Sequence, residues 1–245
     1  CRLTEFTLEG ISNIQGDFQC KDYSYVKEFV MPFIRVAGDM TIALNSGSVN
    51  TAAEIEFPKL QEIGGTLTLG SNSNANNIAF PSLKKILGSC SVTTTDLKND
   101  IEFTNLESIG TDGADEQIKF EIEATNILCP KLKTINGKFD IATSSFMFGM
   151  EVDKVSYPNV ESISENLSIT CPYSDFGSNG ILSIDFSGLK SVKGISISGQ
   201  GDVTDFSSFK YLFENNVLTG ESQWSVRECA YNPTYQDMKN GKYKQ

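Results

Sequence analysis

Apolar positions along this chain fall in short alternating pairs rather than in the three-and-four spacing of an amphipathic helix. Ile55-x-Phe57 and Leu67-x-Leu69 are two such pairs, and a Leu60-x-x-Ile63 corner stands between them. Alternation turns one side of a strand toward a core, and a corner redirects the chain before the next strand begins. Pro58, Gly65 and the Asn/Ser/Gly-rich stretch 70–77 punctuate the pairs with residues that turns require. The unit reads as strand, turn, strand, without helices between the strands.

This block recurs. Ile78 to Val92 repeats it position for position, with Phe80, Pro81, Leu83, Ile86, Gly88 and Cys90 in the matching places. Leu128 to Ile141 and Val155 to Ile169 repeat it again, weaker copies cover 11–20, 30–42, 101–122 and 184–197, and a degenerate copy closes at 206–212. With Ile63 as the marker, equivalents stand at 14, 36, 63, 86, 109, 135, 163, 192 and 212, which makes nine units of about 25 residues. One unit buries about five apolar side chains, worth roughly 1.5 to 3 kcal/mol each, against an ordering cost of about 1 to 2 kcal/mol for every residue. A lone unit would not fold. Stacked units pair equivalent strands and align like side chains, so the expected fold is an all-β solenoid of about nine coils forming one domain over 1–245. Residues 1–10 are expected to cap the first coil, 11–213 to form the coils, and 214–245 to form a C-terminal cap and tail. Phe206, Phe209, Leu212 and Phe213 behind Asp205 predict a closing turn or short helix, and 224–245 a loosely held polar tail.

The order aromatic-Pro-x-Leu-x-x-Ile, written as Phe57-Pro58-x-Leu60-x-x-Ile63 and again as Phe80-Pro81-x-Leu83-x-x-Ile86, resembles the receptor L-domain. That domain is a leucine-rich-repeat-like solenoid found in ligand-binding ectodomains of insulin-receptor and epidermal-growth-factor-receptor relatives, in fungal cell-wall proteins and in surface lipoproteins of anaerobic gut bacteria. The resemblance covers about residues 8 to 200 and implies a single-stranded right-handed β-helix. The segment from Tyr231 to Tyr243 is similar to the ends of the bacterial surface proteins. It implies an extracytoplasmic chain, on the cell surface or secreted, with a bacterial outer surface as the expected place. The eukaryotic receptors carry a disulfide-rich module beside this domain and the present chain does not, so receptor signalling does not carry over.

Charge and composition narrow the function classes. The net charge of −11, from 31 acidic and 20 basic residues, opposes phosphate backbones, and nucleic acid is not an expected partner. The chain has no histidine, which removes histidine triads, histidine general bases and histidine metal sites. No apolar run reaches the roughly 18 residues that a membrane span needs. Of the six cysteines, Cys20 and Cys90 take slots that hold Leu, Val or Ile in other copies. Cys129 takes the slot of Phe57, Phe80, Phe103 and Tyr157. Free core thiols are the expected state, with Cys1–Cys20 as the one local candidate for a bridge. Cys1 reads either as a lipid-attachment residue left by signal cleavage or as an arbitrary boundary of the chain.

The search for chemistry returns scattered groups. Glu62, Glu107 and Glu161 occupy similar corner positions, but Lys85, Lys133 and Lys190 alternate with them, as on a solvated mixed-charge face. Asp112, Asp115 and Glu116 read as an acidic turn, and Asn166-Leu-Ser, a glycosylation sequon, lies on an expected strand. No catalytic residue, metal site or cofactor is expected, and the chain is expected to be a monomer. Contact residues are sought in the inserts 43–53, 142–154 and 170–183, since insertions in solenoids map to loops. Phe146, Met147 and Phe148, followed one coil later by Tyr173 and Phe176, form a candidate aromatic patch, with Tyr23, Tyr25 and Trp224 as further candidates. The alternative for the 146–150 residues is a cover folded back over the core. The expected function is non-catalytic recognition or adhesion toward a protein or glycan; a structural spacer and a carbohydrate-active β-helix enzyme are the rivals.

Overall fold

The structure, a computed structural model, describes residues 5–7, 10–21, 28–43, 53–70, 75–93, 101–113, 119–122, 127–142, 154–171 and 183–245. Strand accounts for 44% and helix for 9%, and the strands pair in parallel as a β-solenoid of about six turns. Two compact units divide the chain: residues 1–111 with 121–131, and residues 112–120 with 132–245.

The first unit winds around three faces. One face sets Glu5–Thr7, Glu28–Val30, Ala53–Glu56, Ala75–Ala79, Ile101–Glu102 and Ile127–Leu128 side by side, each strand one repeat from the next. The second does the same with Asn13–Ile14, Arg35–Val36, Glu62–Ile63, Lys85–Ile86 and Ser108–Ile109. Phe18–Lys21, Met40–Ala43, Leu67–Gly70 and Cys90–Thr93 belong to the third. Register follows the repeat: Ile63 stands between Val36 and Ile86, and Leu67 between Met40 and Cys90. Strand stretches of two to five residues could not hold alone, and each obtains its backbone partners from the turns on either side.

Two corners explain the motif. The amide of Leu60 donates to the carbonyl of Phe57 at 3.3 Å, Leu83 to Phe80 at 3.3 Å and Leu106 to Phe103 at 3.2 Å. This is an i-to-i+3 turn with Pro58 and Pro81 at its second position, where their fixed φ suits it. The turn puts aromatic and leucine together in the core, and Phe57, Phe80 and Phe103 stack at centroid distances of 5.0 and 5.2 Å. At the entry to the third face the chain passes a ladder of glycines. Gly38 donates to Gly16, Gly65 to Gly38 and Gly88 to Gly65, at 3.1, 2.9 and 3.0 Å. A Cβ on Gly88 would lie 2.6 to 2.8 Å from the backbone of Gly65 and Thr66, so consecutive turns approach too closely for any side chain there. Asp17 and Asp39 reinforce the ladder by accepting from the amides of Asp39 and Thr66 at 2.9 and 2.7 Å.

In the second unit, Thr134–Ile135 pairs with Ser162–Ile163, and the broad face runs Lys138–Ala142, Asn166–Cys171, Gly194–Gly201, Trp224–Cys229. Phe120 and Phe139 stack at 4.7 Å inside it, and a chain of ring contacts continues from Phe139 to Tyr157, from Tyr157 to Phe186 and from Phe186 to Phe209. The expected nine coils are corrected here to about six. Lys154–Ser156 and Ser183–Asp185 pair in a separate two-stranded sheet, the second-face pairing shrinks to one bridge between Ser162 and Ser191, and Leu212 lies in a helix. Apolar spacing persists in these copies after complete three-faced winding has ended.

The end of the chain differs from the loose tail expected of it. A 3-10 turn at Ser207–Phe209 leads into α1 (Lys210–Glu214), as the Asp205 pattern predicts, and Asp205 accepts from the Ser207 amide at 2.8 Å. Trp224–Cys229 then extends the broad face, and α2 (Tyr235–Lys239) returns over the end under a Thr234 cap. The backbone closes where Phe206 donates to the carbonyl of Tyr243 at 2.8 Å and Gln245 to that of Thr204 at 3.1 Å. Polar composition concealed this order, because two or three buried anchors, Trp224 and Met238 among them, are enough to dock a short terminal segment.

Gly88→Ala is expected to lower stability by about 2 kcal/mol or more through overpacking. Gly16→Ala should be neutral or stabilising by up to about 1 kcal/mol, since nothing lies within 4 Å of the added methyl. Urea unfolding of both variants measures the difference, and equal values would refute the close approach of the turns.

Candidate functional site

Inward side chains in the second unit are committed to its core, so its chemistry lies on the outer side of the broad face. Asp140, Ser168, Ser196 and Ser225 stand opposite one another in register and form one row across four strands. Two residues back along three of these strands are Lys138, Asn166 and Gly194. Gly194 has no side chain to fill its place in that row. A Cβ there would meet the amide oxygen of Asn166 at 3.0 Å and the Gln223 carbonyl oxygen at 3.4 Å. The gap becomes a cleft of about 430 Å³, with Lys119 at one end and Ser222 at the other.

The wall that carries Ser222 is pinned by Gln223. Its side-chain oxygen accepts from the amides of Thr219 and Gly220 at 2.7 and 3.0 Å, and its Nε2 donates to the Lys193 carbonyl at 2.9 Å. Lys193 is in turn ion-paired with Glu165. The cleft therefore has a rigid strand floor and a braced rim. Among the described residues, the side chains of Lys138, Asp140, Asn166, Ser168, Ser196 and Ser225 have no hydrogen-bond or ion-pair partner, leaving their capacity directed outward. Sequence reading missed these residues as a group. Alternation marks them as outward-facing, but only the register and the empty place at Gly194 turn that surface into a cleft.

Several charges elsewhere are engaged with one another. Arg35 pairs with Glu62 at 2.8 Å, Lys85 stands opposite Glu62 in register, and Lys190 pairs with Glu161 at 2.9 Å. Hydrogen bonding from Lys190, then its charge and that of Lys133, holds the Glu161 carboxyl below its ordinary range. The corner carboxylates thus lie on a mixed-charge face, as expected. Asp112 is in an exposed turn, while Asp115 and Glu116 lie outside the described residues. No group of three or more His, Cys, Asp or Glu able to hold a metal ion occurs among the described residues.

Of the aromatic contact candidates, Tyr23, Tyr25, Phe146, Met147, Phe148, Tyr173 and Phe176 lie outside the described residues. Trp224 is only 5% exposed. Its ring packs among Phe206, Phe209 and Phe213, and its indole N–H donates to the Pro233 carbonyl at 2.8 Å, so it serves the core of the cap.

Cys20, Cys90 and Cys129 are buried free thiols in the apolar slots assigned to them, while Cys1 falls outside the described residues. Burial pushes the Cys20 thiol up to about 12 and raises Cys90 and Cys129 as well, Cys129 further through the neighbouring Cys90. Raised thiols hold almost no thiolate at neutral pH and are inert as nucleophiles.

Comparison with protein-family models, with curated proteins and with solved structures returned no match for this chain.

Iodoacetamide at pH 8, followed by peptide mass spectrometry, should leave Cys20, Cys90 and Cys129 unlabelled in the folded protein and label all three in denaturant. Rapid native labelling of Cys90 or Cys129 would show that those slots are open to solvent.

Proposed function

We propose that this chain is a non-catalytic recognition module, of the receptor L-domain kind its repeat resembles, which binds ligands on the outer surface of a preformed solenoid. The observation that carries this reading is the cleft over Ser168 and Ser196: a concave, polar surface in which the side chains of Lys138, Asp140, Asn166, Ser168, Ser196 and Ser225 are not used to hold the fold together. Strands fix the positions of the hydroxyl and amide groups in advance, so little ordering cost remains to be met on binding. A hydrolytic reading would call for a pair of carboxylates flanking a scissile bond. Asp140 is the single carboxylate lining the cleft among the described residues, and the chain has no histidine to assist it. Display outside the cytoplasm, on a bacterial surface, belongs to the same proposal and is supported by the sequence resemblance.

Arrays of immobilised glycans and surface proteins, probed with the folded chain, should show reproducible capture. Ser168→Tyr places a ring in the cleft at an outward strand position where tyrosine is well accommodated. It should melt within a few degrees of the unaltered protein and lose at least tenfold in capture. Capture that survives the ring would move binding off this face, and a blank array would favour the spacer reading.

A further inference from the structure

The first and last strands of the winding are finished differently. In the second unit the last strand, Trp224–Cys229, carries the defences of a guarded edge. A bulge interrupts its pairing between Ser198 and Gly201, Glu228 stands at a φ of 58°, and Asn232 folds back to accept from the Cys229 amide at 3.1 Å. The first unit begins without such a guard among the described residues. Phe18–Lys21 pairs on one side only, with Met40–Ala43. Ile14 and Phe18 are half-buried, whereas their equivalents in the next turn, Val36 and Met40, are fully enclosed. Phe18 lies against Phe29, Phe33 and Phe57, so its uncovered side belongs to the core itself.

One bond fixes the direction of the free backbone groups at this edge. The Phe18 amide donates to the Asp39 carbonyl at 2.8 Å. Successive residues of a strand turn their N–H and C=O groups to opposite edges, so Gln19, and with it Asp17 and Lys21, aim theirs away from the next turn. Asp17 keeps its carboxylate on the stack, where it accepts from the Asp39 amide. These three alternate residues form a short open ladder with no backbone partner among the described residues.

The ladder fits a second copy of itself. In an antiparallel pairing, bonded pairs must fall between these three positions, since they alone have groups to exchange. Centred on Gln19, the pairing exchanges both bonds between the two Gln19 residues and sets Asp17 opposite Lys21 on either side of the axis, while the core-facing Phe18 and Cys20 meet. The other allowed registers set Lys21 against Gln19 or Lys21, or Asp17 against Gln19 or Asp17. Opposite charges directly across a strand pair stabilise it and like charges oppose it, so one register is selected. We propose that two copies of the chain join through this edge, antiparallel and two-fold about Gln19, and cover the half-buried Phe18 rings at the joint. Such an isologous contact closes on itself after two copies. The assignment departs from the monomer expected of the sequence and is independent of the cleft.

Sedimentation equilibrium of the full chain, from low micromolar to submillimolar concentration, should follow a monomer–dimer equilibrium between 26.9 kDa and twice that mass. Gln19→Pro removes the exchanged N–H, and proline is tolerated where a strand turns its N–H outward. This variant should abolish the dimer, and at dilutions where both chains are monomeric it should melt within a few degrees of the unaltered protein. Lys21→Asp sets a carboxylate opposite Asp17 in both symmetric pairs and should weaken association at least tenfold. Adding Asp17→Asn, which still offers its side-chain oxygen to the Asp39 amide, should recover most of that loss. If Gln19→Pro melts early, the single and double variants at Lys21 decide the question. A chain that stays monomeric at every concentration would overturn the proposal, as would a dimer indifferent to both Gln19→Pro and Lys21→Asp. Loss of the dimer in Gln19→Pro together with indifference to Lys21→Asp would overturn the register centred on Gln19, and masses beyond the dimer would overturn the two-fold closure.

Discussion

Backbone hydrogen bonds between residues one repeat apart are the interaction on which every other feature of this molecule depends. Strands this short have too few contacts to persist alone, so each is completed by the turns on either side. That demand brings the turns close, and closeness dictates residue types. Where Gly65 and Gly88 pass each other there is no room for a Cβ. Where Phe57, Phe80 and Phe103 lie over one another, flat rings stack with 3° and 14° between planes, a geometry that suits the short distance between turns.

Regular stacking inside leaves the outside at liberty. Side chains pointing outward contribute little to holding the turns together, so their chemistry can vary from one face to the next without altering the fold. The second face uses this freedom for charge pairs such as Arg35 with Glu62 and Lys190 with Glu161. Exposed pairs of that kind contribute little stability, and they keep a repetitive surface soluble. The broad face of the second unit uses the same freedom differently, presenting hydroxyls, one amide and two lysines around the place that Gly194 leaves empty. Inside, the same regularity tolerates Cys90 and Cys129, since a thiol fills an apolar slot well enough when the turns above and below define its walls.

How far the fold was legible differs from element to element. The aromatic-Pro-x-Leu corner was readable because proline and leucine there have backbone and packing reasons that are local to four residues. Cys20, Cys90 and Cys129 could be placed in the core for the same reason: each stands in a slot defined by its equivalents. The count of turns was overestimated, since Val192 and Leu212 keep the apolar spacing after the strand pairing has thinned or given way to α1. Trp224 shows the complementary difficulty. Beyond the last repeat, an aromatic residue has no equivalents to reveal which way it points, and only the docking of Phe206, Phe209 and Phe213 around it settles the question.

What the linear order of residues determined by itself was the repeat, and with it the all-β class, the stacking direction and the inward ladders, because a period of about 25 residues leaves parallel stacking as the way to satisfy every strand. What only the tertiary structure decided was the surface. Lys138, Asp140, Asn166, Ser168, Ser196 and Ser225 are scattered over almost ninety positions, and none is unusual where it stands. They become one cleft because strand register brings residues a full repeat apart to neighbouring positions, and because the absence of a side chain at Gly194 can be felt only by the atoms that surround it.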